Sequence, residues 1–287
     1  MAIMSVVKFK FDYSAKKLSL LNALLLLKAA DLAYNELSQI QKNIAEDFGL
    51  LKYKLFDSHD TQAFISANDK IIVVAFRGTT SINDWVTDLK VKLVRSAVGC
   101  IHCGFNEALD WIWGDLKKSI LDFRDKEQSI WITGHSLGGA LATLTVDRLT
   151  EDSVKVNGLY TFGQPKVGDK LFCYNFDYKM KGCAFRFVHD EDGVPKVPTF
   201  IQGYQHIGTE CFFDRDDNLF IGDVWLKKFV SLCTSVAIRS SENADKLRAQ
   251  NPGSVRDHDL GHYERCIRKN YIKQNGPPEN FIDYINS

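Results

Sequence analysis

The chain has 287 residues, 45% of them apolar and 25% charged, which suits a globular protein long enough to bury a large core. Thirty-six basic residues balance thirty-six acidic ones, so no net positive charge is on offer to nucleic acid and no such partner is expected. The longest apolar run, residues 18–27 (LSLLNALLLL), falls short of the roughly 20 residues that a membrane span needs.

That run, set between Lys16-Lys17 and Lys28, reads as a buried helix continuing through Ala29, Ala30, Leu32, Ala33 and Leu37. A secretory leader is the competing reading, but the run starts late, Lys28 follows at once and no small-x-small site comes next. Residues 62–66 and 71–76 (IIVVAF) read as strands turning at Asn68-Asp69. Residues 105–123 place Leu109, Ile112, Leu116 and Ile120 on one helical face. A strand over 129–133 and a helix over 137–149 flank a glycine-rich turn. Further strands are expected at 158–162 and 184–188, and an edge strand within 204–213. Strands alternating with helices predict an α/β fold with a mostly parallel central sheet flanked by helices. Residues 223–238 read as an amphipathic helix, 239–256 as a surface loop and 272–287 as a peripheral C-terminal tail. With no repeat and no composition break, residues 1–287 are expected to form a single domain.

Seven cysteines, an odd number scattered along the chain, suit free thiols in a reducing compartment and predict a cytoplasmic location over a secreted one. Cys100-x-x-Cys103 has half the spacing of a zinc site but no second pair, so no metal is expected.

The turn Gly134-His135-Ser136-Leu137-Gly138, between strand and helix, has the G-x-S-x-G form of a nucleophile elbow, which predicts a strained Ser136 whose side chain points out of the bend and offers Oγ to a substrate at the sheet edge. Glycines two residues to either side allow backbone to approach where a Cβ would clash. A serine hydroxyl needs a base, and the base an orienting acid. In α/β-hydrolase-like chains these follow in the order Ser, acid, His. The histidines downstream are His189, His206, His258 and His262; Asp190, Glu191 and Asp192 compete as the acid in the loop after strand 184–188. The backbone N–H of Leu137, opening the helix, is one donor for an oxyanion.

Eight short motifs occur in collinear order over roughly residues 20–270. They are Arg77-Gly78-Thr79, Asp84-Trp85-x-x-Asp88-Leu89, His102-x-Gly104-Phe105, GHSLGGALA, Thr161-Phe162-Gly163-Gln164-Pro165-x-Val167-Gly168, Asp192-x-Val194-Pro195-x-x-Pro198, Tyr204-x-His206-x-Gly208-x-Glu210 and Asp257-His258-x-x-x-x-Tyr263. Together they resemble the class 3 (fungal-type, triacylglycerol) lipase family. The resemblance implies an α/β-hydrolase fold with Ser136 as nucleophile, Asp192 as acid and His258 as base. It implies Thr79 as the second oxyanion donor beside Leu137, leaves His262 as the nearest rival base, and makes His206 structural. It places residues 81–89, with Trp85, Ile82 and Val86, where secreted fungal members carry a lid, and residues 197–201 as a candidate acyl-pocket wall. The expected activity is hydrolysis of acylglycerols or related lipid esters through an acyl-enzyme, at a transient membrane or lipid-droplet surface and with no cofactor. Phospholipase A1 or small-ester (feruloyl-like) esterase activity on the same site is the alternative within enzymes. A lipase-like lipid-binding or scaffold protein is the alternative outside them.

Overall fold

The computed structural model describes residues 11–48, 52–79, 81, 91–222 and 258–276. In chain order the elements are α1 (Leu20–Leu32), α2 (Leu37–Phe48), β1 (Lys52–Ser58), β2 (Thr61–Ala67), β3 (Ile71–Phe76), β4 (Leu93–Arg95), β5 (Cys100–His102), α3 (Cys103–Phe123), β6 (Ser129–His135), α4 (Leu137–Glu151), β7 (Gly158–Phe162), α5 (Lys170–Lys179), β8 (Ala184–His189), β9 (Thr209–Phe213), β10 (Leu219–Ile221) and α6 (Leu260–Asn275). Two single-turn 3-10 helices, Val194–Lys196 and Phe200–Gln202, lie between β8 and β9.

Eight strands form one sheet in the order β1-β2-β3-β6-β7-β8-β9-β10, with β4 and β5 paired separately. From β3 to β9 the strands run parallel, and antiparallel partners flank them at both margins. This is the mostly parallel α/β sheet expected from the alternation of elements, in the α/β-hydrolase arrangement that the family resemblance implies. The run IIVVAF of β3 has no polar alternation because both faces of a central parallel strand are covered. Ile72, Val74 and Phe76 enter one core with Leu109, Leu116 and Ile120 of α3 and Leu141 and Leu144 of α4. Ile71, Val73 and Ala75 enter the other with Leu24 and Leu27 of α1 and Tyr263 and Ile267 of α6.

The turn after β2 forms as expected, with the Asn68 side chain accepting from the backbone N–H groups of Lys70 (2.8 Å) and Ile71 (3.0 Å). The four helical-face residues Leu109, Ile112, Leu116 and Ile120 are all buried. Residues 20–32 form a buried core helix whose Leu26 carbonyl accepts from the Thr133 hydroxyl of β6 (3.1 Å). Among the described residues no helix is long and apolar enough to cross a membrane.

Three boundaries differ from the expectation. The first helix does not continue to Leu37: Tyr34 and Asn35 bond back three residues, to Asp31 and Leu32, and α2 starts anew. The edge strand is shorter than 204–213 and is not at the edge, because β10 pairs outside β9. Residues 272–275, expected in a tail, complete α6. The expected helix over 223–238 and loop over 239–256 lie outside the described residues, as do 277–287.

Candidate active site

Ser136 sits where β6 turns into α4, with φ 58° and ψ −131°, a backbone conformation that non-glycine residues rarely adopt. Packing enforces it. A Cβ on Gly134 would lie 2.3 Å from the Gly138 carbonyl carbon, and one on Gly138 would lie 2.3 Å from the Phe76 carbonyl oxygen. The bend therefore needs glycine at both places, and Ser136 absorbs the strain between them. Its N–H donates to the Phe162 carbonyl (2.9 Å), which ties the bend to β7. Ser136 Oγ is buried and has no hydrogen-bond partner among the described residues. The N-terminus of α4 begins at Leu137, whose N–H belongs to the unsatisfied first turn of a helix and carries partial positive charge.

Asp192 and His258, 66 positions apart, are brought together by the loop after β8 and the turn before α6. His258 Nδ1 lies 2.8 Å from Asp192 Oδ2, and both side chains are buried. Asp192 Oδ1 accepts from the Val194 N–H (2.9 Å), and Oδ2 also accepts from the Tyr263 hydroxyl (2.6 Å). Three donors thus surround one carboxylate. With Nδ1–H given to Asp192, the lone pair of His258 is on Nε2, which is buried and without a partner among the described residues. The pair fits only because residue 163 is glycine, at φ 58°: a Cβ there would stand 2.6 Å from His258 Cε1 and 2.9 Å from Asp192 Oδ2. That is a physical reason for glycine in Thr161-Phe162-Gly163.

Thr79 follows β3 directly, and its hydroxyl accepts from the Ser81 N–H (3.3 Å). The adjoining Gly78 backbone passes so close to the elbow that a Cβ on it would be 3.1 Å from Ser136 Cβ. The strand end bearing Thr79 therefore lies alongside the nucleophile turn. Trp85, Ile82 and Val86 lie outside the described residues. His206 bonds the Pro195 carbonyl through Nε2 (2.8 Å), and His262 faces His189, Asp217 and Arg265 rather than the elbow.

Two residues of the site went unassigned in the sequence. His135 donates from Nε2 to the His258 carbonyl (2.7 Å) and accepts at Nδ1 from the Tyr34 hydroxyl (2.9 Å). Burial, and then the neighbouring His258, hold its pKa well below the usual imidazole range, so it stays neutral with one tautomer fixed by its partners. His135 was set aside because it adjoins the nucleophile, and nothing in the local sequence links Tyr34 to it. Tyr263, noted only as a motif position, holds Asp192 while its oxygen accepts from the His189 N–H (3.3 Å). Burial first, and then the Asp192 charge, push its phenol well above the ordinary value, so it remains a donor.

Residues 73–202 match the family model described as Lipase (class 3). Over that stretch the chain is similar to the class 3 lipase family. It is 34% identical over 150 residues to the secreted mono- and diacylglycerol lipase 1 of Fusarium solani, covering 50% of this chain and 44% of that protein. It is 29% identical over 166 residues to the secreted mono- and diacylglycerol lipase A of Penicillium cyclopium, covering 55% and 54%. The chain thus spans about half the length of the curated relatives it matches. Among solved structures it resembles the Rhizomucor miehei triacylglyceride lipase, with a TM-score of 0.59, 27% identity, and coverage of 69% of this chain and 81% of that one. The secreted relatives correct the cytoplasmic expectation. That expectation rested on cysteine usage, and six described cysteines are indeed unbridged, but free thiols do not fix a compartment.

Proposed function

We propose that this chain is a class 3 lipase, a single α/β-hydrolase domain that hydrolyses carboxylic esters of acylglycerols or related lipids through an acyl-enzyme. The observation that carries this reading is the His258–Asp192 bond, with His258 Nε2 and the Oγ of the strained Ser136 both buried and unpartnered among the described residues. In the proposed reaction Ser136 Oγ attacks the ester carbonyl while His258 Nε2 takes its proton. Asp192 keeps the ring oriented and stabilises the imidazolium that forms. The Leu137 N–H and Thr79, through its N–H and hydroxyl, receive the oxyanion. His258 then protonates the leaving alcohol, and a water activated by the same nitrogen releases the fatty acid. Water is the co-reactant of the last step.

The lipid preference is supported by two exposed apolar side chains close to the acid loop. Phe200 and Ile201, on the turn that follows Val197, are 68% and 99% exposed. Large apolar groups in water are tolerated best where a lipid surface meets them, so we read this turn as the point of transient contact with a membrane or lipid droplet.

Hydrolysis of p-nitrophenyl esters from acetyl to palmitoyl tests the reading. Native turnover is expected to peak at medium or long chains and to fall by at least about 10⁴-fold in both Ser136→Ala and His258→Ala. Activity confined to short chains would replace lipase with small-ester esterase. A folded protein inactive on every ester would leave a binding or scaffold role.

A further inference from the structure

A second cluster of chemically able side chains lies behind the acid loop, outside the hydrolytic site. His189 ends β8, Asp217 stands in the turn between β9 and β10, and His262 and Cys266 are one turn apart on the same face of α6. Asp217 Oδ1 is the common neighbour. It lies 3.2 Å from Cys266 Sγ, 3.5 Å from His262 Nε2 and 3.7 Å from His189 Nε2, and the four donor atoms are all within 4.8 Å of one another.

The three separations from Asp217 are close to those that a tetrahedral zinc ion demands. Ligands at about 2.0 to 2.3 Å from a common centre stand about 3.3 to 3.8 Å from each other. The donor chemistry agrees, since imidazole and thiolate with one carboxylate are a zinc set. Charge agrees as well: one thiolate and one carboxylate neutralise a divalent cation, and two neutral imidazoles complete the shell. His189 and Cys266 are buried, while Asp217 and His262 are partly open and leave a path for the ion.

Two present contacts would yield. Arg265 lies against the cluster, with Nη2 3.3 Å from His262 Nε2 and Nε 3.7 Å from Asp217 Oδ2, but its side chain is 62% exposed and can turn to solvent. The Glu191 N–H reaches His189 Nδ1 at 3.4 Å, a long bond that is given up when the ring proton moves to Nδ1.

We propose that His189, Asp217, His262 and Cys266 bind one Zn²⁺ that clamps the β8 end to α6. On binding, the Cys266 S–H bond breaks, its proton passes to solvent and the sulfur pair forms the Zn–S bond, with no change of oxidation state. His189 is three residues before Asp192 and His262 four after His258. The ion therefore fixes the two segments that carry the hydrogen-bonded pair, from the side away from substrate.

The test uses the full chain freed of metal by a chelator and titrated with Co²⁺, then with competing Zn²⁺. Expected are one ion per chain, an ultraviolet thiolate-to-cobalt charge-transfer band with tetrahedral visible bands, their loss on adding Zn²⁺, and a rise in melting temperature. Cys266→Ser should abolish the charge-transfer band. It and His262→Gln should each lower Zn²⁺ affinity by more than the 10–100-fold typical of losing a merely supporting residue. Absence of binding by the native chain, or binding without the charge-transfer band, overturns the proposal without recourse to any variant. So does native affinity in both variants. None of these readouts depends on ester hydrolysis.

Discussion

Asp192 and Asp147 are both removed from solvent, at 0% and 5% exposure, yet their surroundings offer a negative charge very different company. Asp192 receives the Val194 N–H, the Tyr263 hydroxyl and the His258 ring. Asp147, on α4, has the Ser96 side chain and the Lys179 ammonium, the latter no nearer than 3.8 Å. It lines a cavity of about 350 Å³ together with Arg95, Asn106, Trp113 and Lys117. Burial, the largest influence, pushes the Asp147 carboxyl up to about 6. The two acids show that burial alone does not make a carboxylate useful. A charge kept for chemistry is enclosed by fixed donors, and a charge left without them retreats toward its neutral form.

Three substitutions would break or sharpen that contrast. The largest effect is expected from Asp192→Asn, which keeps the shape but removes the charge that orients His258. Turnover should fall by about 10⁴-fold with little change in melting temperature, as read by steady-state kinetics beside a thermal scan. Next, Asp147→Asn should stabilise the protein at pH 8 by about 2 kcal/mol and leave kinetics untouched. The sign follows from a folded-state pKa raised above the ordinary carboxylate value to about 6. The contribution of this acid is most favourable below about pH 4 and is lost as pH rises through about 6. The gain of the variant should therefore shrink toward pH 4 in urea titrations, and a gain that is constant with pH would mean the carboxylate is satisfied after all. The smallest effect is expected from Tyr263→Phe. It deletes one of three donors to Asp192, so kcat should drop about tenfold while KM holds; an equal loss in KM would mean the phenol acts on substrate binding instead.

Much of this was legible in the sequence because local physics dictated it. The run IIVVAF had to be a strand covered on both sides, and Gly134 and Gly138 had to flank a bend that no larger residue could pass. The triad assignment came from collinear motifs, whose shared spacing compresses distant contacts into one string. What escaped was of two kinds. Elements whose apolar pattern is thin, such as β1 at the sheet margin and α6 with only Tyr263, Cys266, Ile267 and Asn270 buried, give little periodic signal. Contacts between distant segments leave none at all: Tyr34 with His135, and His189 with Asp217 and Cys266, are juxtaposed only by the closed sheet. Cys100-x-x-Cys103 drew attention as a metal motif because its spacing is local, whereas Cys103 Sγ bonds Glu107 (3.0 Å).

The bonds from Tyr34 through His135 to the His258 carbonyl join the turn after α1, the end of β6 and the turn before α6. The proposed active site therefore depends on contacts between segments far apart in sequence. Tyr34 and His135 are 101 positions apart, and His135 and His258 are 123. Contacts of such sequence separation form slowly and are the first to be given up. In the proposed reaction the base is therefore the member whose placement depends on the contacts hardest to form.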